Sequence, residues 1–202
     1  MKPRGPFDTK SRLGFVGLGV MGGGMARCLL GKGYQLQVYA RRTQVAEGLR
    51  QAGAEVASRV TALGGCDLVF LSLPDAPAVE QVLFGTDGLA GAMQRGSCVV
   101  DTSTIAPQSA RNAGARLAER GIAFLDAPVS GGEQGAATGT LGAMVGGPED
   151  VVDACRDVMG AFCKSITHVG ELGAGQAVKA CNQVAVTGAL LGVADAMALA
   201  RK

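Results

Sequence analysis

Arg12 to Leu30 reads Arg-Leu-Gly-Phe-Val-Gly-Leu-Gly-Val-Met-Gly-Gly-Gly-Met-Ala-Arg-Cys-Leu-Leu, an apolar run broken by glycines and resumed at helical spacing. The pattern Gly17-Leu18-Gly19-Val20-Met21-Gly22, between a strand and a helix, suits a pyrophosphate. Gly17 makes the tight turn, Gly19 lets the backbone approach the anion, and Gly22 lets helix and strand pack. The anion would rest on free N–H groups at the helix start. With 32 glycines in 202 residues such spacings recur by chance; position decides, because the motif follows the first strand and opens a helix. A dinucleotide's adenosine ribose would be read at the end of the next strand. There Ala40-Arg41-Arg42-Thr43 offers no carboxylate for ribose hydroxyls and two guanidiniums for a 2′-phosphate, so NADP is expected, with NAD possible. The plain alternative is that loop arginines are simply solvated.

Two further stretches carry chemistry. Asp126-Ala127-Pro128-Val129-Ser130-Gly131-Gly132 reads as a loop at the C-terminal end of a strand, where open α/β sheets place ligands. Successive glycine N–H groups beside the Ser130 hydroxyl can cradle a carboxylate, although a structural turn explains Gly131-Gly132 equally well. The last stretch, from Gly173-Ala174-Gly175 to Lys202, is a helix pattern with no charged residue from Ala180 to Asp195. Apolar residues lie around most of it, so burial on more than one side is expected. Lys179 stands out there: desolvation lowers a lysine pKa into a range useful for proton transfer, while snorkelling to solvent is the bland reading.

The elements that must hold these residues follow from the apolar pattern. Strands are expected at Leu13–Val16, Tyr34–Tyr39, Asp67–Leu73, Cys98–Asp101, Ala123–Asp126, Leu141–Val145 and Ile166–Val169. Helices are expected at Thr43–Ala52, Val79–Leu83, from Pro107 to Arg120 with Thr102-Ser103-Thr104 as its cap, and at Glu149–Phe162, with Gly85–Gly91 a turn region. This alternation predicts an α/β fold, a Rossmann-type doubly wound, mostly parallel sheet followed by a long C-terminal helix. Residues 1–11 are expected as a flexible tail, 12–170 as the NADP-binding domain, and 171–202 as the start of a helical C-terminal domain.

Composition excludes several classes. Hydrophobic residues make up 48% against 18% charged, the net charge is +2, and tryptophan is absent, which leaves no basic stripe or stacking platform for nucleic acid. Six scattered cysteines and one histidine suit reduced, buried thiols in a cytoplasmic protein rather than a metal site. No secretory signal is visible, and no run of membrane-spanning length lacks polar interruption.

Taken together, four motifs resemble the β-hydroxyacid dehydrogenase family, which includes 3-hydroxyisobutyrate dehydrogenases and tartronate semialdehyde reductases. They are Gly17 to Gly22 with Met25-Ala26, Asp101-Thr102-Ser103-Thr104, Asp126 to Gly132, and Gly173-Ala174-Gly175 with Lys179 and Asn182. The resemblance implies that Gly17, Leu18, Gly19, Val20, Met21 and Gly22 bind a nicotinamide dinucleotide together with Arg41, Arg42, Thr43, Leu73, Pro74 and Ser103. It implies that Ser130, Gly131 and Gly132 hold a substrate carboxylate, that Lys179 is the catalytic acid/base, and that Asn182 and Gln183 lie beside the substrate. The Asn182-Gln183 pair is closer to the tartronate semialdehyde reductases; phosphogluconate dehydrogenases share the lysine but carry a His-Asn pair, and imine reductases generally lack it. Cys28 replaces a frequent asparagine and Gly24 a frequent proline. Family members continue for roughly another hundred residues, so a truncated chain, or one covering its last helix by homo-oligomerisation, is expected. The expected reaction is reversible reduction of a small 3-oxo acid; the alternative is a non-catalytic dinucleotide-binding or interaction module.

Overall fold

The computed structural model describes residues 5–201. Residues 1–4 of the expected tail and Lys202 lie outside the described residues, as does the side chain of Thr43. Its strands are β1 (Leu13–Val16), β2 (Leu36–Tyr39), β3 (Glu55–Val56), β4 (Leu68–Leu71), β5 (Cys98–Asp101), β6 (Ala123–Asp126), β7 (Val129–Ser130), β8 (Leu141–Gly146) and β9 (Cys163–Gly170). The helices are α1 (Val20–Gly31), α2 (Glu47–Gln51), α3 (Ala76–Phe84), α4 (Leu89–Ala92), α5 (Pro107–Glu119), α6 (Gly132–Thr138), α7 (Glu149–Met159) and α8 (Ala174–Ala200).

The described strands form one sheet in the order β3-β2-β1-β4-β5-β6-β8-β7, with β9 beside β8. Pairing is parallel from β3 to β6 and between β8 and β9, and antiparallel where β8 meets β6 and β7. The chain winds outward from β1 through β2 and β3, then returns to place β4 on the other side of β1. That reversal opens a crevice beyond the C-terminal ends of β1 and β4, the switch point where such sheets bind ligands. Central strands β1, β4 and β5 are buried at every residue, which is why their sequences are apolar runs rather than alternations, broken only by Asp101 at the end of β5. Leu13, Phe15, Leu68, Phe70, Cys98 and Val100 face one core with α1 and α7; Val16, Val69, Leu71 and Val99 face the other with α3 and α5.

Several expectations are corrected. Residues 5–11 are anchored, not a free tail: Phe7 is 2% exposed and its N–H donates to the carbonyl of Ala154. The expected helix at 43–52 splits into a 3-10 turn (Thr43–Ala46) and the short α2. The Gly85–Gly91 turn region contains the start of α4, and the Asp126–Gly132 loop contains β7 and opens α6. Thr102-Ser103-Thr104 caps nothing: α5 begins after Ala106 without a side-chain cap, with Pro107 in its first turn. Four cysteines are buried, but Cys28 is half-buried and Cys181 exposed.

The largest departure is α8. Its 27 residues extend about 40 Å. Only its first turns are buried, at Gly175, Gln176 and Lys179. Beyond them Val184 is 75% exposed and Leu190 66%, so the expected burial on several sides is absent among the described residues. By length and composition alone α8 would suffice to cross a membrane, although Asn182, Gln183 and Asp195 interrupt its apolar run.

Candidate active site

The glycine turn is built by contacts that no side chain could tolerate. Gly17 has φ +92°, and a Cβ there would stand 2.1 Å from the Ser72 carbonyl oxygen; at Gly22 it would stand 1.9 Å from that of Gly17. These two glycines serve the fold. Gly19 differs: its backbone is extended, with φ −68° and ψ −168°, and a Cβ would meet nothing within 4 Å. Neither conformation nor packing demands glycine there, and the missing side chain leaves open space on the cleft side. No side chain caps α1, and helix geometry leaves the N–H groups of Val20, Met21 and Gly22 without intrahelical acceptors. The turn thus fits a pyrophosphate, with donors and positive dipole end facing open space.

A cleft of about 1100 Å³ runs from this turn along the switch point. Gly17, Leu18, Gly19, Val20, Met21, Gly22, Arg41, Arg42, Leu73 and Pro74 all line it. Val20 is 64% exposed there, an apolar side chain standing on the rim. Sequence reasoning missed Val45, Pro77, Ala78 and Val82, apolar residues that also line the cleft. Asp75 also borders the cleft, but one carboxylate oxygen caps α3 by accepting the Ala78 N–H at 2.8 Å. A smaller hollow of about 510 Å³, beside Lys32, Tyr34 and Lys164 at the ends of α1 and α7, contains none of the expected site residues.

Ser103 does not line the cleft. It stands behind the wall, where its Oγ accepts the Leu73 N–H at 2.9 Å and its own N–H donates to Asp101 Oδ1 at 2.9 Å. Asp101 is fully buried, with Oδ2 unpartnered among the described residues. Burial pushes its pKa up to about 7, against the lowering effect of the Ser103 hydrogen bonds.

The second half of the site hangs from Asp126, at the end of β6. Its carboxylate accepts the Gly173 N–H at 2.7 Å and the Gln176 N–H at 2.9 Å, so a strand end caps the start of α8. Burial raises the Asp126 pKa while these backbone donors lower it. Four residues on, Ser130 pairs with Gly142 in β8, and Gly131 and Gly132 follow with φ of +130° and +63°. Met144 ties the parts together: its N–H donates to the Pro128 carbonyl, and its own carbonyl lies so close to Gly175 that a Cβ there would be 2.5 Å away. The α6 helix packs on α1, Gly24 against Ala136, with the Cys28 thiol donating to the Ala136 carbonyl. The Ser130–Gly132 segment and the first turn of α8 therefore share one root, and the helix that follows this segment rests on the helix that opens at the glycine turn.

Lys179 lies one turn beyond Gln176 and is 8% exposed. Its ammonium has no ion pair or hydrogen bond among the described residues. Burial lowers its pKa from the ordinary 10.5. Asn182 is half-buried and donates to the exposed Gln183 at 3.1 Å. Lys179, Asn182 and Gln183 occupy one helix face at i, i+3 and i+4.

Strand order, glycine turn and cleft together define an α/β dinucleotide-binding domain. Residues 12–170 match the family described as the NAD binding domain of 6-phosphogluconate dehydrogenase, and the chain belongs to that family. It is 44% identical over 189 residues to the NAD-dependent L-serine dehydrogenase of Pseudomonas aeruginosa, covering 93% of this chain and 63% of that protein. To the 2-hydroxy-3-oxopropionate reductase of Escherichia coli it is 42% identical, covering 95% of this chain and 65% of the relative. A solved 3-hydroxyisobutyrate dehydrogenase of Mycobacterium tuberculosis with L-serine superposes with a TM-score of 0.89 at 35% identity, covering 95% and 65% of the two chains. The chain thus spans somewhat less than two thirds of the length of these relatives.

Proposed function

We propose that the protein is an NADP-dependent oxidoreductase interconverting a small 3-hydroxy acid and its 3-oxo acid, of the tartronate semialdehyde reductase or 3-hydroxyisobutyrate dehydrogenase type. The observation that carries this reading is Lys179, buried without a counter-charge on a helix whose start is held by Asp126, four residues before Ser130. An unpaired buried ammonium costs the fold, and such groups concentrate where proton chemistry needs them. The names of the Pseudomonas aeruginosa and Escherichia coli relatives support a small hydroxy acid or its oxo counterpart as substrate.

In this reading the bound nicotinamide dinucleotide supplies or accepts the hydride. The N–H groups of Val20 and Met21 hold its pyrophosphate in the room left by Gly19, and Arg41 and Arg42 take the 2′-phosphate. Ser130, Gly131 and Gly132 orient the substrate carboxylate, with Asn182 and Gln183 at its border. Lys179 gives a proton to the carbonyl oxygen in reduction and removes it in oxidation. Holding the carboxylate fixes where the carbonyl lies, which is how positioning contributes to rate. The exposed apolar surface of α8 is assigned to homo-oligomerisation, and the location to the cytoplasm.

A second reading, a dinucleotide-binding module without turnover, is favoured by the exposure of Gln183, which leaves the site open beyond Lys179. Assay with NADPH and a panel of small 3-oxo acids separates the two. Oxidation of NADPH with at least one acid supports the enzyme, and binding without turnover of any supports the module.

The cofactor choice has its own test. Replacing Arg41 and Arg42 together by alanine should weaken NADP binding about 10- to 30-fold in a calorimetric titration, since each exposed charge-assisted contact is worth about 1 kcal/mol after solvent screening. NAD affinity should change less than about threefold, because NAD has no 2′-phosphate for those side chains to meet. Tighter binding of NAD than NADP by the unsubstituted protein overturns the assignment.

A further inference from the structure

Gln176 is bonded at both ends of its side chain to main chain 71 and 73 residues away. Its Oε1 accepts the Ile105 N–H at 3.0 Å, and its Nε2 donates to the Ser103 carbonyl at 2.8 Å. The residue is 2% exposed, and its own N–H is held by Asp126 at 2.9 Å. Residue type is decisive here. Asparagine is one methylene short, glutamate at neutral pH has no donor for the Ser103 carbonyl, and leucine or methionine would fill the space without fixing a direction. An apolar residue there would leave the buried Ile105 N–H and Ser103 carbonyl without partners, at a cost of about 1–3 kcal/mol for each group.

The segment that Gln176 grips is stitched on its other side to the cleft. Ser103 Oγ accepts the Leu73 N–H at 2.9 Å, Thr102 Oγ1 donates to the Leu71 carbonyl at 2.6 Å, and Leu73 lines the cleft. A continuous run of buried bonds therefore leads from the cleft wall through Ser103 to the first turn of α8, and Lys179 follows Gln176 by one turn on the same face.

We infer that Gln176 is a positioning residue that holds Lys179 in register with the wall of the dinucleotide cleft, so that a nucleotide bound against Leu73 stiffens the start of α8. The roles of the cleft and of Lys179 rest on the function proposed above; the clamp itself rests only on the bonds described.

Amide hydrogen exchange on the protein, free and saturated with NADP, tests both parts. In the free protein, Q176L should speed exchange of the Ile105 amide about tenfold or more, because that donor loses its acceptor. An unchanged rate overturns the clamp whatever the protein's chemistry. In the unsubstituted protein, NADP should slow exchange across Ala177–Cys181 about fivefold or more, and this slowing should vanish in Q176L while NADP affinity stays within about threefold. A merely structural glutamine would lower stability yet leave that nucleotide-dependent slowing in place, and such a result overturns the inference. If Q176L does not fold, S103A decides, since it cuts the link to Leu73 without touching α8: full slowing there also overturns it. Failure of the unsubstituted protein to bind NADP in calorimetry would instead remove the functional reading, with the Ile105 rate still judging the clamp.

Discussion

Lys179→Ala is expected to lower the rate of 3-oxo acid reduction about 10²- to 10⁴-fold, the range that a positioned general acid contributes. NADP affinity should change little, because Lys179 is not among the residues lining the dinucleotide cleft. The loss should fall on kcat rather than KM, since the missing proton matters as the carbonyl oxygen gains charge. The pH dependence follows from the same burial. Reduction needs the ammonium, so its rate falls as pH rises through the folded-state pKa, and that inflection lies below the ordinary 10.5. Oxidation needs the free amine, so its rate rises through the same inflection. Full activity in the alanine variant, or a profile with no lysine inflection, would remove Lys179 from the mechanism.

Among the glycines of the turn, Gly17→Ala and Gly19→Ala should part company. Gly17→Ala forces an L side chain to φ +92° and sets its Cβ against the Ser72 carbonyl. Left-handed backbone costs roughly 1–2 kcal/mol and overpacking roughly 1–3, so a loss of about 2–5 kcal/mol is expected in denaturant unfolding. Gly19→Ala meets no neighbouring atom and should cost no more than about 1 kcal/mol, the penalty of alanine against glycine as an N-cap. Its effect should appear in NADP binding instead, where the added methyl occupies the space left for the pyrophosphate. Normal NADP affinity in a folded Gly19→Ala protein would show that the open space at residue 19 is not the anion's.

These two residues also illustrate what a sequence discloses. The central strands were legible because burial on both faces demands unbroken apolar residues, as in Leu68–Leu71 and in β5 from Cys98 to Val100. The glycine turn was legible because its spacing reflects steric demands only a few residues apart. The α6 helix was not, since Gly132 and Gly135 carry no helix propensity and its packing on α1 stabilises it from outside. Ser103 looked like a helix cap; its hydroxyl instead serves Leu73, thirty residues away. Asp126 and Gln176 were passed over as functional parts because their partners lie 47 to 73 residues distant, where local pattern holds no signal. The exposed end of α8 was foreseen as apolar, but composition could not say which face the rest of this chain leaves uncovered.

The most direct test is a crystal structure of the protein grown with NADP and a small 3-hydroxy acid. The account predicts pyrophosphate oxygens within about 2.7–3.2 Å of the Val20 or Met21 N–H groups, the 2′-phosphate at Arg41 and Arg42, and the nicotinamide between Ser130 and Lys179. A dinucleotide bound elsewhere, or one in the cleft with its nicotinamide turned away from Lys179, would contradict it.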